Sequence, residues 1–290
     1  MSIVLLTASG AGSADDAPLD EICGALGPMG SVDVVTTGER ADLDQTLDQL
    51  DGRTLVVAGG DGSLHLVVQA LWERDQLQAT TVGLVPLGTG NDFARSAGVP
   101  LDPVAAARAL TTARPRLLDL VVDERGGVVV NVVHSGLGAE AAARAKGLKD
   151  RLGPAAYPVG ALVAGVREPG WDLEVTVDGT PLGERVVLMA GAGNGRTIGG
   201  GTPLFPTASL DDGLLDVVVV NATGPVARVA FAAALRKGEH LDRDDVHHAR
   251  GREVTITGDA VRYNTDGELS DAVPSRRYRI HPARWTFLGP

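Results

Sequence analysis

Apolar and polar positions along the first hundred residues alternate between two periods. Ile3–Leu6, Val32–Thr36, Thr54–Ala58 and Val82–Val85 are short runs of strand length, separated by segments in which apolar residues recur at helical spacing. Leu64, Val67, Val68 and Leu71 fall at i, i+3, i+4 and i+7, which predicts a helix over Leu64–Trp72 with one apolar face. Helices are also predicted over Ala17–Leu26 and over Leu43–Leu50, the latter with Asp42 near its start. A short one over Asn91–Ser96 stops near Gly98. Asp102 as N-cap and Pro103 at the first helical position open another that runs to Leu110. Strands alternating with helices imply a parallel sheet with crossover helices, a doubly wound α/β domain.

After about Leu118 the pattern changes. Val128–Val133, Leu173–Val177, Val186–Ala190, Leu214–Val220, Val254–Thr257 and Tyr278–Ile280 are β-rich runs separated by Gly, Pro and Asp turns. Helical spacing is confined to Ala139–Lys149, Ala155–Val166 and Val226–Arg236. The expectation is a second, mostly antiparallel β-sandwich domain, with the boundary near Leu117–Val121. Residues 1–119 then form the α/β domain and residues 120–274 the β-rich one, and the tail from about 275 to 290 is free to return to the first.

Composition narrows the function. The chain has 290 residues, 44% hydrophobic and 22% charged, ordinary for a soluble globular protein with room for two domains. A net charge of −11 and only 3% aromatic residues argue against nucleic acid, which is bound by neutralising phosphates and stacking bases. No uncharged apolar run reaches the roughly 18 residues of a membrane span. The chain starts straight into a strand with no basic leader, and Cys23 stands alone, so a cytoplasmic location is expected.

Two glycine loops carry the candidate chemistry. Gly59-Gly60-Asp61-Gly62-Ser63 joins an apolar strand to a helix, and Gly88-Thr89-Gly90-Asn91-Asp92 does the same after the next strand. Strand, glycine turn and helix N-terminus together aim backbone N–H groups at an anion, and glycine admits a phosphate where a Cβ would clash. Two such loops after successive parallel strands share the carboxyl edge of the sheet, where open α/β sheets bind ligands. Asp61 in a phosphate cradle calls for a cation between carboxylate and phosphate, so ATP with Mg²⁺ is expected. Asn91 and Asp92 are placed to cap the second helix. Neither loop is a Walker A motif, and neither contains Gly-x-Gly-x-x-Gly.

The two loops, taken with Pro86-Leu87 before the second and Phe93-Ala94-Arg95 after it, resemble the diacylglycerol kinase catalytic-domain family of lipid kinases. That family includes bacterial diacylglycerol kinases and the sphingosine and ceramide kinases. NAD kinases and phosphofructokinases share a related Gly-Gly-Asp-Gly loop. The resemblance continues through Asn131–Ala145, Gly191–Gly195, Gly199–Gly201, Leu210–Asp216 and Asn264-Thr265-Asp266-Gly267-Glu268. It implies an ATP-dependent phosphotransferase acting on a hydroxyl of diacylglycerol or a related lipid alcohol, with a role in phospholipid biosynthesis. ATP·Mg²⁺ would sit in a cleft between the domains, held by Gly59, Gly60, Asp61, Gly62, Ser63, Gly88, Thr89, Gly90, Asn91 and Asp92, with Ser9 and Gly10 adding to it. By the same resemblance Asp211, Asp212 and the backbone of Leu214 are the candidate ligands of a structural Mg²⁺. Asp266 is the implied general base, with Glu268 in support. Taken as residues alone, Asp211-Asp212-Gly213 reads as a turn between strands, and Asp266-Gly267 as a hairpin turn followed by an exposed glutamate. If the segment is extended, Asp266 and Glu268 project to the same side.

The chain departs from the family pattern in places. Its first loop reads Thr7-Ala8-Ser9-Gly10 where the family has Asn-Pro-x-Ser-Gly, and Gly136-Leu137-Gly138-Ala139 lacks the family's carboxylate. A kinase for a small polar acceptor (NAD or a sugar phosphate) and a non-catalytic ATP-binding regulator are the competing readings. Arg276-Arg277-Arg279 is the one basic cluster that could serve a phosphorylated acceptor. His247-His248 reads as a solvated loop or helix face, His65 as helix-surface packing, and His134 as a turn residue able to reach the cleft. Expected partners are a lipid alcohol and, transiently, a membrane surface. A homodimer is compatible with the sequence.

Overall fold

The computed structural model describes residues 2–8, 19–137, 139, 169–221 and 224–290. Its first half runs β1 (Ser2–Ala8), α1 (Leu19–Leu26), β2 (Ser31–Thr37), α2 (Arg40–Asp48), β3 (Thr54–Gly59), α3 (Asp61–Glu73), β4 (Thr81–Pro86), α4 (Asp92–Ala97), α5 (Pro103–Leu110) and β5 (Arg114–Asp123). Strands β2, β1, β3 and β4 lie side by side, all parallel. Every residue of β3 is buried, because helices cover both faces of the sheet. Leu43 and Leu47 of α2, Leu64 and Val68 of α3 and Phe93 of α4 pack on one face. Ile22 and Leu26 of α1 with Ala107 and Leu110 of α5 pack on the other.

The second half runs β6 (Val128–Val129), β7 (Val132–Gly136), β8 (Trp171–Val177), β9 (Thr180–Pro181), β10 (Val186–Val187), β11 (Met189–Gly193), β12 (Thr197–Ile198), β13 (Thr202–Pro203) and β14 (Leu215–Val220). It continues with α6 (Pro225–Lys237), β15 (Val246–Gly251), β16 (Glu253–Val261), β17 (Tyr263–Thr265), β18 (Glu268–Leu269) and β19 (Val273–Gly289). An antiparallel sheet in the order β15-β14-β11-β7-β17-β18 faces a layer that contains β8, β16 and β19. Val133, Val217 and Tyr263 from the first meet Leu173, Ile256 and Tyr278 from the second, which makes the expected β-sandwich. Residues of β14 alternate between that interior and a second core under α6, where Val218 and Val220 join Phe205 and Phe231. Both faces are covered, so the strand reads as a continuous run of valines rather than an alternating one.

Strand β19 links the halves. Its first part pairs antiparallel with β16, while Thr286–Leu288 run parallel to β4, and β5 pairs along most of its length. The register shifts between His281 and Trp285, where Ala283 adopts φ 49°. Trp285 and Phe287 beyond that kink close on Phe93 of α4.

Several boundaries differ from the sequence reading for identifiable reasons. Helix α3 begins at Asp61, not Leu64, with Gly60 as its N-cap, so three of the loop's residues, Asp61, Gly62 and Ser63, lie in the first helical turn. Helix α2 begins at Arg40, because Glu39 and Asp42 form a reciprocal capping box. His247 and His248 are on strand β15, paired with Val219 and Val218, not on a loop or helix. The helices expected over Ala139–Lys149 and Ala155–Val166 lie outside the described residues, apart from Ala139. Ser9 and Gly10 also lie outside them.

One glycine is placed where the fold does not need it. Gly24 sits inside α1 with open space around its Cβ position. Gly24→Ala is expected to stabilise the protein by about 0.5–1 kcal/mol, read as a rise in the urea midpoint. A lowered midpoint would mean that α1 has been misread.

Candidate active site

The two glycine loops leave the carboxyl ends of adjacent strands and touch backbone to backbone. Gly59 lies opposite Pro86 in the ladder, and the Leu87 N–H donates to the Gly59 carbonyl. A Cβ on Gly88 would stand 2.6 Å from the Gly60 Cα, and one on Gly60 would stand 3.0 Å from the Gly88 Cα. Asn91 at φ 52° closes the second loop on itself, its side chain accepting from the Gly88 N–H and donating to the Gly88 carbonyl. The N-cap of α3 is Gly60, which makes no side-chain cap, so the first turn of that helix keeps backbone N–H donors beside the second glycine loop.

Asp61 has a different role from the one its place in a phosphate loop suggests. Its two carboxylate oxygens accept the Asp92 and Phe93 N–H groups at 3.1 and 3.0 Å, so it caps α4 from outside that helix. The charge is balanced by a helix N-terminus and needs no cation for that purpose. Asp92, in turn, accepts the N–H groups of Gly200 and Gly201 from the second half of the chain, both at 2.8 Å. Asn91 holds the N-cap position of α4 without a side-chain cap and Asp92 is turned to Gly200 and Gly201, so neither side chain caps α4, contrary to the expectation from sequence. Burial raises the Asp61 pKa; the two N–H donors oppose this, and the charges of Asp92 and Asp266 add to it.

Asp266 and Gly267 form a two-residue turn between β17 and β18, both at positive φ. The segment is therefore not extended, and Glu268 does not share a face with Asp266. Glu268 is exposed, whereas the Asp266 side chain is only 2% exposed. Its carboxylate accepts the N–H groups of Val130, Asn131 and Val132 at 2.7–3.0 Å and bonds His65 Nδ1 at 2.9 Å. His65 is thus no surface-packing residue. The signal for it was present in the sequence: His65 follows Asp61 by four and precedes Gln69 by four, a polar stripe on a helix whose other face is apolar.

Asp211, Asp212 and Leu214 surround a turn at Gly213, as their sequence alone suggests. Ser209 Oγ donates to Asp211, the Leu214 N–H donates to Asp212, and Arg250 pairs with Asp212. Asp119, which the sequence analysis did not single out, accepts the N–H groups of Gly213 and Ala283 and so ties this turn to the kink of β19. Burial raises the Asp119 pKa against those two bonds, and the fields of Asp212 and Asp211 raise it further. Among the described residues no group of three His, Cys, Asp or Glu side chains is arranged to hold an ion.

Comparison with known proteins gives these features a context. The sequence pattern of the diacylglycerol kinase catalytic domain matches residues 2–122, and that of the YegS C-terminal NAD kinase beta sandwich-like domain matches residues 131–288. The chain belongs to the diacylglycerol kinase catalytic-domain family. It is 35% identical to "Probable lipid kinase YegS-like" of Xanthomonas oryzae pv. oryzae over 94% of this chain and 91% of that protein. It is 37% identical to the protein of the same name from Pseudomonas syringae pv. tomato over 79% and 78%. Crystal structures from Bacillus anthracis str. Sterne superimpose over 100% of this chain and 97% of theirs. Their TM-scores are 0.80 at 24% identity and 0.74 at 21% identity, the latter described as that of a diacylglycerol kinase. The diacylglycerol kinase-like fold, an α/β domain followed by a β-sandwich, is therefore shared. Membership makes the protein a kinase that uses ATP as phosphoryl donor.

Other polar residues of this kinase have structural partners. His248 and Arg250 both bond Asp216, which is fully buried in β14. Arg276, Arg277 and Arg279 are paired with Asp123, Glu124 and Glu253, so the one basic cluster is already neutralised. His134 lies within β7, not in a turn; it is buried, and Nδ1 has no hydrogen-bond partner among the described residues. Burial pushes its pKa from 6.5 down to about 4. The unfolded chain binds this proton near 6.5 and the folded chain only near 4, so stability present above the upper value is lost as pH falls between them. His134→Gln is expected to lose about 2–3 kcal/mol less than the wild type between pH 7 and pH 4.5, measured by urea unfolding. Equal acid losses in both proteins would refute it.

Proposed function

We propose that this protein is an ATP-dependent lipid kinase that transfers the γ-phosphate to a hydroxyl of diacylglycerol or a related lipid alcohol. One arrangement supports the reading: the N-terminus of α3 and the second glycine loop meet at Gly60 and Gly88, and the Asp266 hairpin joins the same helix one turn on, at His65. Residues 59–63 and 88–92 form the wall that receives the triphosphate, with Ser9 and Gly10 of the first loop added to it. Phosphoryl transfer needs mainly positioning and charge stabilisation, which backbone N–H groups supply without reorganising. Asp266 is the residue around which the acceptor hydroxyl loses its proton, and Glu268 adds negative charge beside it.

The name of the relatives, probable lipid kinase, supports a lipid acceptor. The pairing of Arg276, Arg277 and Arg279 also leaves no free basic cluster there for a phosphorylated sugar or dinucleotide. No helix among the described residues is long and apolar enough to cross a membrane, so access to lipid would be by transient surface contact. A Mg²⁺ at Asp211, Asp212 and the Leu214 carbonyl would find oxygen donors of the right class, provided that Asp212 exchanges Arg250 for the ion. We place the protein in the cytoplasm and allow it a homodimer.

The test is ATP-dependent phosphorylation of a panel of lipid alcohols in mixed micelles, with diacylglycerol, ceramide and sphingosine as members. Product on any of them supports the lipid reading. No product with nucleotide binding intact rejects it, and transfer to NAD or a sugar phosphate would install the small-acceptor alternative.

A further inference from the structure

Helix α3 presents Asp61, His65, Gln69 and Glu73 at successive i, i+4 positions, while Leu64, Val67, Val68 and Leu71 are buried in the core. The polar stripe is used at each of its first three positions. Asp61 caps α4, and Gln69 donates to the Gly126 carbonyl and accepts the Val128 N–H. Between them His65 meets Asp266 of the β17–β18 hairpin.

A carboxylate has about four lone-pair sites. In Asp266, Oδ1 accepts from Asn131 and Val132, and Oδ2 accepts from Val130 and from His65 Nδ1. All four are filled. For an Asp266 oxygen to take a substrate proton, it must first release either a buried backbone N–H, at a cost of about 1–3 kcal/mol, or its bond to His65. His65 stands differently. A carboxylate only accepts, so Nδ1 carries the proton and the neutral ring keeps Nε2 as an acceptor. Nε2 has no partner among the described residues and is not closed off from solvent, the side chain being 16% exposed.

We propose that His65 Nε2 is the atom that takes the acceptor's hydroxyl proton, with Asp266 as the positioning residue that fixes the tautomer and balances the imidazolium. The inference rests on the phosphoryl-transfer reading above. As the acceptor oxygen bonds to the γ-phosphorus, the bond from that phosphorus to the β,γ-bridging oxygen breaks, and its electron pair leaves with the nucleoside diphosphate. The hydroxyl proton passes to Nε2 and goes to solvent when the imidazolium deprotonates. The ionisable groups whose charges act on the ring are Asp266 and Glu268, both from the β17–β18 hairpin, while Asp61 one turn earlier on its own helix turns its carboxylate to α4. Burial lowers the His65 pKa, but the Asp266 hydrogen bond and charge, with Glu268, outweigh it, and the net direction is upward from 6.5. The base form exists above that raised value, so turnover falls as pH drops through it.

The experiment compares kcat against pH for the wild type, His65→Ala and His65→Gln, with diacylglycerol in mixed micelles as acceptor. Glutamine keeps an N–H for Asp266 but cannot titrate. Both variants are expected to lose about 10²–10⁴-fold in kcat and the acid limb of the profile. Their KM for ATP is expected to stay within about threefold of the wild type, since no ground-state contact is removed. A glutamine variant with wild-type kcat, or an acid limb that persists in it, overturns the proposal and leaves His65 a structural partner. A wild type that phosphorylates no lipid alcohol rejects the lipid reading, and the ring itself then decides the inference. ¹⁵N NMR should show a neutral His65 protonated at Nδ1, with a midpoint above 6.5. A neutral ring protonated at Nε2, or a midpoint at or below the ordinary value, rejects it.

Discussion

Asp266→Ala is expected to abolish measurable phosphoryl transfer and to cost about 3–5 kcal/mol of stability, the larger part from the backbone. The carboxylate satisfies three consecutive N–H groups, those of Val130, Asn131 and Val132, at the entrance to β7. With alanine there, those donors lose their acceptor in a region closed to solvent, and each unsatisfied group costs about 1–3 kcal/mol without full additivity. Asp266→Asn separates the two effects. Its one carbonyl oxygen can still accept, but its amide turns a second N–H toward backbone N–H groups, and the negative charge beside His65 is gone. The asparagine variant should therefore fold with a lowered urea midpoint and still lose about 10²-fold or more in kcat. An asparagine variant with full activity would show that neither the charge of Asp266 nor its hold on His65 enters the reaction.

Gly88→Ala carries the second large effect. Its Cβ would stand 2.6 Å from the Gly60 Cα and 2.9 Å from Asn91 Oδ1. The first obstacle is backbone and cannot swing aside, and the second is the side chain that closes the loop. The two glycine loops must separate, which misplaces the N–H groups that the proposed function assigns to the triphosphate. A displacement of about 1 Å at such a site is worth about 10²-fold, so ATP affinity should fall by that much or more in calorimetric titration. The cost to stability should be about 1–3 kcal/mol, the usual penalty of an overpacked interior. Wild-type ATP affinity in a folded Gly88→Ala protein would place the nucleotide somewhere other than these loops.

Much of the candidate site was readable because it lies in short stretches where chain order and space coincide. Gly59–Ser63 and Gly88–Asp92 each join a strand to its own helix, and the α/β rule puts both at one edge of the sheet. What each carboxylate does was not readable. Asp61 and Asp92 are spent on N–H groups 31 and 108 residues distant. Local pattern offers Asn91 as the cap of α4, and only the close contact of the two glycine loops, Gly60 on Gly88, puts Asp61 there instead. Asp119 was missed for the same reason. It sits in an apolar run, and its partners Gly213 and Ala283 come from two later segments.

By itself the sequence determined the periodic elements, the α/β-then-β order and the two phosphate-type loops, since all of these depend on neighbours within a few residues along the chain. Tertiary structure decided which acids are free and which are bound. It turned an Asp-Gly hairpin, by sequence no more than a tight turn, into a buried carboxylate joining three backbone donors to a histidine 201 residues away. The reason is physical. A backbone turn is specified by the torsions of its own residues, whereas the charge and hydrogen bonding of a side chain are set by whatever the fold brings against it.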